Sequence, residues 1–189
     1  MKKITLFLLL TLFITTSSLH AQDKDKKQKI GIRAGFHTAA LVYEGSKPDT
    51  ARRLNSFYVG LFRDNKIAPI LHFGTGIEYF QNGLKYTGST KRVLHTLSIP
   101  LDLKVKLGPV FVLGGAAANF KVKEQIIFGD NKYNPLEGDK TKGFDVAAFV
   151  GAGIKILFIS VEGRYHWGLL DVKNGLHHRY FQLGAAISF

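Results

Sequence analysis

The sequence predicts an all-β fold: a transmembrane, antiparallel, up-and-down β-barrel of about eight strands, of the small outer-membrane type. Three observations carry that prediction. The chain opens with an export segment, nowhere contains a run of about 18 apolar residues that could cross a bilayer as a helix, and repeats a period-two alternation of apolar residues in segment after segment.

Lys2 and Lys3 precede an apolar stretch from Ile4 to Ile14, followed by polar Thr15, Thr16, Ser17 and Ser18 and then Leu19-His20-Ala21. This is the three-part plan of a signal peptide, with cleavage expected after the small residue Ala21. The apolar stretch is too short to span a hydrocarbon core of roughly 30 Å as a helix. No cysteine stands at the processing site, so no lipoprotein anchor is expected. The division read from the sequence is a signal peptide over residues 1–21, a short polar tail over 22–29 and a barrel over 30–189. An exported chain without cysteine has no disulfide framework, so backbone hydrogen bonds and packing must stabilise it. The formal charge is +12, or +10 once Lys2 and Lys3 leave with the signal peptide. A basic balance can signal nucleic acid, but an exported protein seldom meets any. Outer-membrane lipid and lipopolysaccharide, whose head groups are anionic, are the expected partners.

Taken in order, the strands divide into two faces. Ile30 and Ile32 oppose Gly31, Arg33, Gly35 and His37; Phe57, Val59 and Leu61 oppose Tyr58, Gly60 and Phe62. Leu71, Phe73, Thr75, Ile77 and Tyr79 oppose His72, Gly74, Gly76 and Glu78. Leu97, Ile99, Leu101, Leu103, Val105 and Leu107 alternate with Thr96, Ser98, Pro100, Asp102, Lys104 and Lys106. The glycine- and alanine-rich segment from Val110 to Lys123 is ambiguous, although Asn119, Lys121 and Lys123 favour an inner odd-numbered face. Phe144 to Lys155 sets Asp145 and Lys155 on one side, and Leu157 to Leu169 sets Glu162, Arg164 and His166 on one side. The last ten residues, YFQLGAAISF, match the length of a tilted membrane strand, with Phe181, Leu183, Ala185, Ile187 and Phe189 on the apolar face. Ending there on an aromatic residue resembles the C-terminal signal read by the outer-membrane assembly machinery, which makes that machinery a further expected partner.

The connections alternate in length. Those near Asp64 to Pro69, Gly108-Pro109 and Lys155-Ile156 are tight; those near Tyr43 to Ser56, Gly83 to Arg92, Gln125 to Lys142 and Asp171 to His178 are longer and polar. Short turns on the periplasmic rim and long loops outside are the barrel rule, and an even strand number puts both mature termini on the periplasmic side.

The segments GIRAGFHTAAL, SFYVGLFRDNKIAP, HFGTGIEYFQNGLKYTG, HTLSIPLDLKVKLG, PVFVLGGAAANF, FDVAAFVGAGIKI and VEGRYHWGLLDV together resemble the PorT-like outer-membrane β-barrel family of Bacteroidota. The most specific pieces are Ile99-Pro100-Leu101 and Val161 to Leu170. The resemblance implies an outer-membrane barrel with no catalytic residues. One family member is associated with the type IX secretion and gliding machinery; no short motif separates it from its relatives, so a link to a secretion or gliding assembly is left open.

Glu78, Asp102, Lys104, Asp145, Lys155, Glu162, Arg164 and His166 are expected to form a polar network in the lumen. In a barrel of eight strands the interior is just wide enough for side chains to fill, so paired charges there act as a plug. Tyr165 and Trp167 fit an interfacial aromatic girdle. Arg52, Arg53, Lys85, Lys91 and Arg92 are read as loop residues that contact lipopolysaccharide phosphates or simply keep the loops soluble. His177 and His178 read as solvated loop histidines, since metal binding would need more ligands nearby. No cofactor or metal is expected. The leading reading is a non-enzymatic barrel with a structural or interaction role in the envelope, its protein partner unknown. The alternative is a lipid-modifying enzyme, for which outward His95 lacks an outward serine because Thr96 and Ser98 point inward. A soluble ligand binder of lipocalin type is the third; it requires the reverse arrangement, apolar inside and polar outside.

Overall fold

The computed structural model describes residues 29–43, 53–85, 90–129, 131–136, 141–171 and 175–189. The expected signal peptide, the expected polar tail up to residue 28 and Arg52 lie outside them. The strands are β1 (Lys29–Tyr43), β2 (Leu54–Lys66), β3 (Leu71–Lys85), β4 (Thr90–Leu107), β5 (Val110–Phe128), β6 (Asn131–Tyr133), β7 (Phe144–Ile156), β8 (Ile159–Gly168) and β9 (Leu176–Ser188). Eight of them form a closed antiparallel barrel in the order β1-β2-β3-β4-β5-β7-β8-β9, with β9 pairing back onto β1. The three-residue β6 only folds back along the end of β5.

The barrel's tilt follows from its register. From Ile30 the cross-strand partners run Arg63, Thr75, Leu101, Ala116, Ala148, Trp167 and Arg179, and then return to β1 at Ala40, ten residues from the start. Ten residues of rise at about 3.3 Å each, over eight strands about 4.8 Å apart, give a strand tilt of about 40°. Each residue then climbs about 2.5 Å along the barrel axis, so Ile30 to Ala40 covers about 25 Å, the height of an outer-membrane apolar band.

Alternation holds on every barrel strand. Ile32, Phe36, Leu61, Ile77, Leu103, Val150, Val161, Leu183 and Ile187 are exposed on the outside, while Arg33, His37, Tyr58, Glu78, Asp102, Phe149, Arg164 and Tyr180 are buried inside. An apolar outside around a polar interior is the opposite of a lipocalin and excludes that reading. Both described chain ends and the three short turns share one rim, here the lower one, where the Phe189 amide donates to the Ile30 carbonyl (2.8 Å).

Three local expectations change. The β7–β8 turn sits at Leu157-Phe158, two residues beyond its expected place, with Leu157 in the left-handed region (φ 56°). Apolar alternation runs straight through these residues and hides the turn. Strands β3, β4 and β5 run on past the apolar band, so residues placed in loops by composition belong to the wall. A register shift between His95 and Thr96 pairs them with Lys123 and Lys121, leaving Val122 as the extra residue. Lys123 therefore points outward and Glu124 inward, correcting the inner placement of Lys123.

Candidate functional site in the barrel interior and upper belt

The interior is built in layers. Next to the lower rim, Asp64 on β2 receives the Lys106 ammonium (2.6 Å), with Lys104 at 3.9 Å and His72 at 3.4 Å. The Lys155 ammonium donates to the Ser188 hydroxyl between β7 and β9. Above this lies a ring of two cations and two anions. Arg33 donates to Glu162 (3.1 Å) and lies 3.4 Å from Glu78; Arg164 donates to Glu78 (2.8 Å) and lies 3.5 Å from Glu162. All four side chains are at most 3% exposed. The Arg33 guanidinium also stacks 4.3 Å over Phe62 and that of Arg164 5.3 Å over Tyr58. Buried charges persist only when paired this way, because an unpaired ion in a dry interior costs several kcal/mol.

An aromatic column crosses the barrel above the ring. Phe80 stacks on His37 (4.6 Å), His37 leans on Tyr180 (5.1 Å), Tyr180 stacks on His166 (4.2 Å), and His166 stacks on Phe149 (4.6 Å). Five strands thus meet through one run of rings. His37 Nε2 is 3.0 Å from Asn82 Oδ1, and Asn119 donates to the Tyr180 hydroxyl (3.4 Å). Small residues on the wall make room for this filling: a Cβ at Gly184 would sit 2.4 Å from the Tyr58 hydroxyl.

Near the upper rim His178 Nδ1 lies 3.1 Å from Asp145 Oδ2. Higher still, Glu124 is held by Arg92 (2.6 Å) and Lys121, and the amide and hydroxyl of Thr141 donate to the same carboxylate. Along β5, Glu124 lies well beyond the level of Ala40 by the tilt above, so this cluster stands outside the apolar band. Burial works against the charged form of Glu124, but the hydrogen bonds from Lys121 and Arg92 outweigh it and hold the carboxyl below its ordinary value.

All eight expected lumen residues face inward, but they do different things. Glu78, Glu162 and Arg164 join the ring, His166 the aromatic column, and Asp145 pairs with His178. Lys104 stacks on Phe111 (5.1 Å) and flanks Asp64, Lys155 sits at the rim, and Asp102 is buried beneath Gly74. Two placements are overturned. Arg92 is not an outer loop residue but a buried wall residue of β4 paired with Glu124, because β4 starts at Thr90 and even-numbered residues there point inward. His178 is a buried residue of β9 rather than a solvated loop histidine. Arg33, Asp64, His37 and Tyr180 were missed as network members, although period-two counting puts each on an inner face.

The outer wall carries its own pattern. Lys85 is exposed and pairs across the hairpin with Lys91. Arg53 is exposed just before β2. Tyr165 and Trp167 both point outward, 6.2 Å apart. His95 points outward, its Nδ1 2.5 Å from the Tyr79 hydroxyl, while Thr96 and Ser98 are buried in the lumen.

The closed register and apolar wall agree with what family comparison finds. The chain belongs to the outer membrane protein beta-barrel domain family, whose model matches residues 20–174. No curated protein matches it. Among solved structures the chain is similar to Neisserial surface protein A, with a TM-score of 0.55 at 11% identity over 85% of this chain and 97% of that one. It is also similar to Ail, the attachment invasion locus protein of Yersinia pestis, in complex with the heparin analogue sucrose octasulfate. That match has a TM-score of 0.53 at 13% identity, over 86% of this chain and 99% of Ail. At such identities the likeness is one of fold, and the family places the protein in the outer membrane.

Proposed function

We propose that the protein is a non-enzymatic outer-membrane barrel with a structural or interaction role in the envelope, its lumen closed and both mature termini periplasmic. One observation carries this reading: inward side chains from β1, β3, β7, β8 and β9 make up the ion-pair ring and the aromatic column, with Phe62 and Tyr58 of β2 and Asn119 of β5 packed against them, so the interior is occupied by the protein itself. What remains for partners is the outer wall and the long connections. Arg53, Lys85 and Lys91 stand there as contacts for lipopolysaccharide phosphates, and the complex of Ail with a polysulfated ligand is in keeping with anion recognition on this fold. Tyr165 and Trp167 serve as interfacial aromatics, and Phe181, Leu183, Ile187 and Phe189 as the segment read during assembly. The resemblance to PorT-like barrels favours work within an envelope assembly, a secretion or gliding machine being its most specific form. The test is an outer-membrane fraction run on a gel with and without boiling, followed by reconstitution in planar bilayers. A heat-modifiable band without steady conductance is expected; a stable open channel would overturn the closed lumen, and a soluble periplasmic protein the whole reading.

A further inference from the structure

The geometry points to a binding site for the phosphorylated head group of an outer-leaflet glycolipid, formed by Arg53 and Arg179 across the outer face of β2, β1 and β9. The site rests on the outer-membrane reading above but not on the closed lumen. Arg179 is the partner of Ala40 on one side; on the other, Arg53 precedes Leu54, the partner of Ala39, and so stands beside Ala40. With Thr38, Ala40, Tyr165 and Phe181, the two arginines line one shallow notch. Ala40 faces outward yet is only 3% exposed, as expected where two long side chains fold over a small one. Among the described residues, no carboxylate forms an ion pair with either arginine, and Arg179 Nε is buried without a hydrogen-bond partner.

The successive outward layers beneath the notch show why a lipid fits it. The layer next to it holds Asn55, Thr38, Phe181 and Tyr165, and the next holds Phe57, Phe36, Leu183 and Gly163. The wall thus passes from two guanidinium groups, through hydroxyl, amide and aromatic groups, to pure hydrocarbon surface. The arginines stand about 25 Å above Ile30 on the tilt worked out above, at the upper edge of the apolar band. Paired guanidinium forks match a phosphate's oxygens bidentately, and acyl chains can run down the aromatic and aliphatic layers below. A soluble anion would use only the first of these features.

Trp167, the single tryptophan of the chain, is the cross-strand partner of Arg179 and reports on the site directly. The experiment titrates the intact barrel, purified in detergent from outer membranes, with diphosphoryl lipid A, with its dephosphorylated counterpart, and with inorganic phosphate, following Trp167 emission. Diphosphoryl lipid A should saturate the signal. Binding should weaken at least about tenfold for the dephosphorylated lipid and for R53Q/R179Q, and less for R179K, which keeps charge but loses the fork. K123Q, which removes an exposed outward lysine on β5, should stay within about twofold of wild type. Unchanged affinity in R53Q/R179Q, or equal loss in K123Q, would overturn the site. Saturation by inorganic phosphate as tight as by the lipid would assign it to a soluble anion instead. The heat-modifiable band of each variant shows that it has folded; if the double variant does not fold, R179K against K123Q decides. Failure of the barrel reading would appear separately, as no heat shift in the wild type.

Discussion

Replacing Glu78 with glutamine tests the closed interior most directly, because the change keeps the shape of the side chain and removes one charge. Glu78 accepts from Arg164 at 2.8 Å and lies 3.4 Å from Arg33, and with Glu162 these four groups are charge-neutral. E78Q leaves one positive charge uncompensated among side chains that are at most 3% exposed. Breaking a buried pair from one side costs about 3–5 kcal/mol, and the amide oxygen that still accepts a hydrogen bond puts this variant near the lower end. Arg164→Met should cost a similar amount by leaving two carboxylates to share Arg33. The double variant E78Q/R164M restores the balance, so its cost should fall short of the sum of the two singles by about 2 kcal/mol or more. Urea titration in detergent, with the folded fraction read from the heat-modifiable band and from Trp167 emission, gives all three values. A cost for E78Q below about 1 kcal/mol, with additive behaviour in the double variant, would mean that water solvates the ring and that the lumen is not plugged.

Other substitutions probe the wall, the upper cluster and the C-terminus. At the Gly114-Gly115 pair, a Cβ on Gly115 would meet the Leu101 carbonyl at 1.9 Å whereas one on Gly114 finds its nearest atom at 3.6 Å, so G115A should lose about 1–3 kcal/mol and G114A should be neutral or slightly stabilising in the same titration. Because the Glu124 carboxyl is held below its ordinary value of 4.5, its bonds to Thr141 are intact at neutral pH and are lost as the pH falls through that lowered value. Hydrogen-exchange protection at the Thr141 amide, corrected for intrinsic rate, should drop on acidification and be low at pH 7 in E124Q; protection that is insensitive to both would refute the coupling. Phe189 is 77% exposed at the lower rim, so F189S should change stability in detergent by less than about 1 kcal/mol while cutting the amount assembled in the outer membrane several-fold. Equal yields of F189S and wild type would remove Phe189 from the assembly signal.

The faces of the strands were legible because a closed barrel gives each strand two unlike environments, and a period of two cannot place one residue wrongly without misplacing its neighbours. Arg164, Glu162 and His166 fall inside for that reason, and so does every inward residue of β4 from Thr96 to Lys106. The partners were not legible. Arg33 meets Glu162 across 129 residues, a distance set by the ten-residue stagger of the whole barrel rather than by any local pattern. Strand ends also escaped detection. Arg92 lies where β4 continues above the apolar band and His178 at the band's upper edge, so hydrophobic patterning has already faded although pairing has not. The bulge at Val122 is a third case: with a single extra residue, the same run of lysines and glutamate puts Glu124 rather than Lys123 into the interior.

That arrangement also says where the protein's charge is available. Six interior carboxylates, Asp64, Glu78, Asp102, Glu124, Asp145 and Glu162, face seven interior cations, Arg33, Arg92, Lys104, Lys106, Lys121, Lys155 and Arg164. These thirteen residues come within one charge of cancelling, so +11 of the formal excess of +12 belongs to the rest of the chain. A barrel that nearly balances its interior charge and leaves almost all its surplus cations elsewhere has an electrostatic field of one sign to offer, and anions gain from it where low-dielectric surroundings limit screening. The belt at Arg53 and Arg179 is such a place, because hydrocarbon lies immediately below it. Lysines at the upper strand ends such as Lys85, exposed to water and salt, attract the same anions more weakly and with less geometric preference. Binding of phosphorylated lipid should therefore depend on the two arginines at physiological ionic strength, and the lysines at the strand ends should add to it only as salt is lowered.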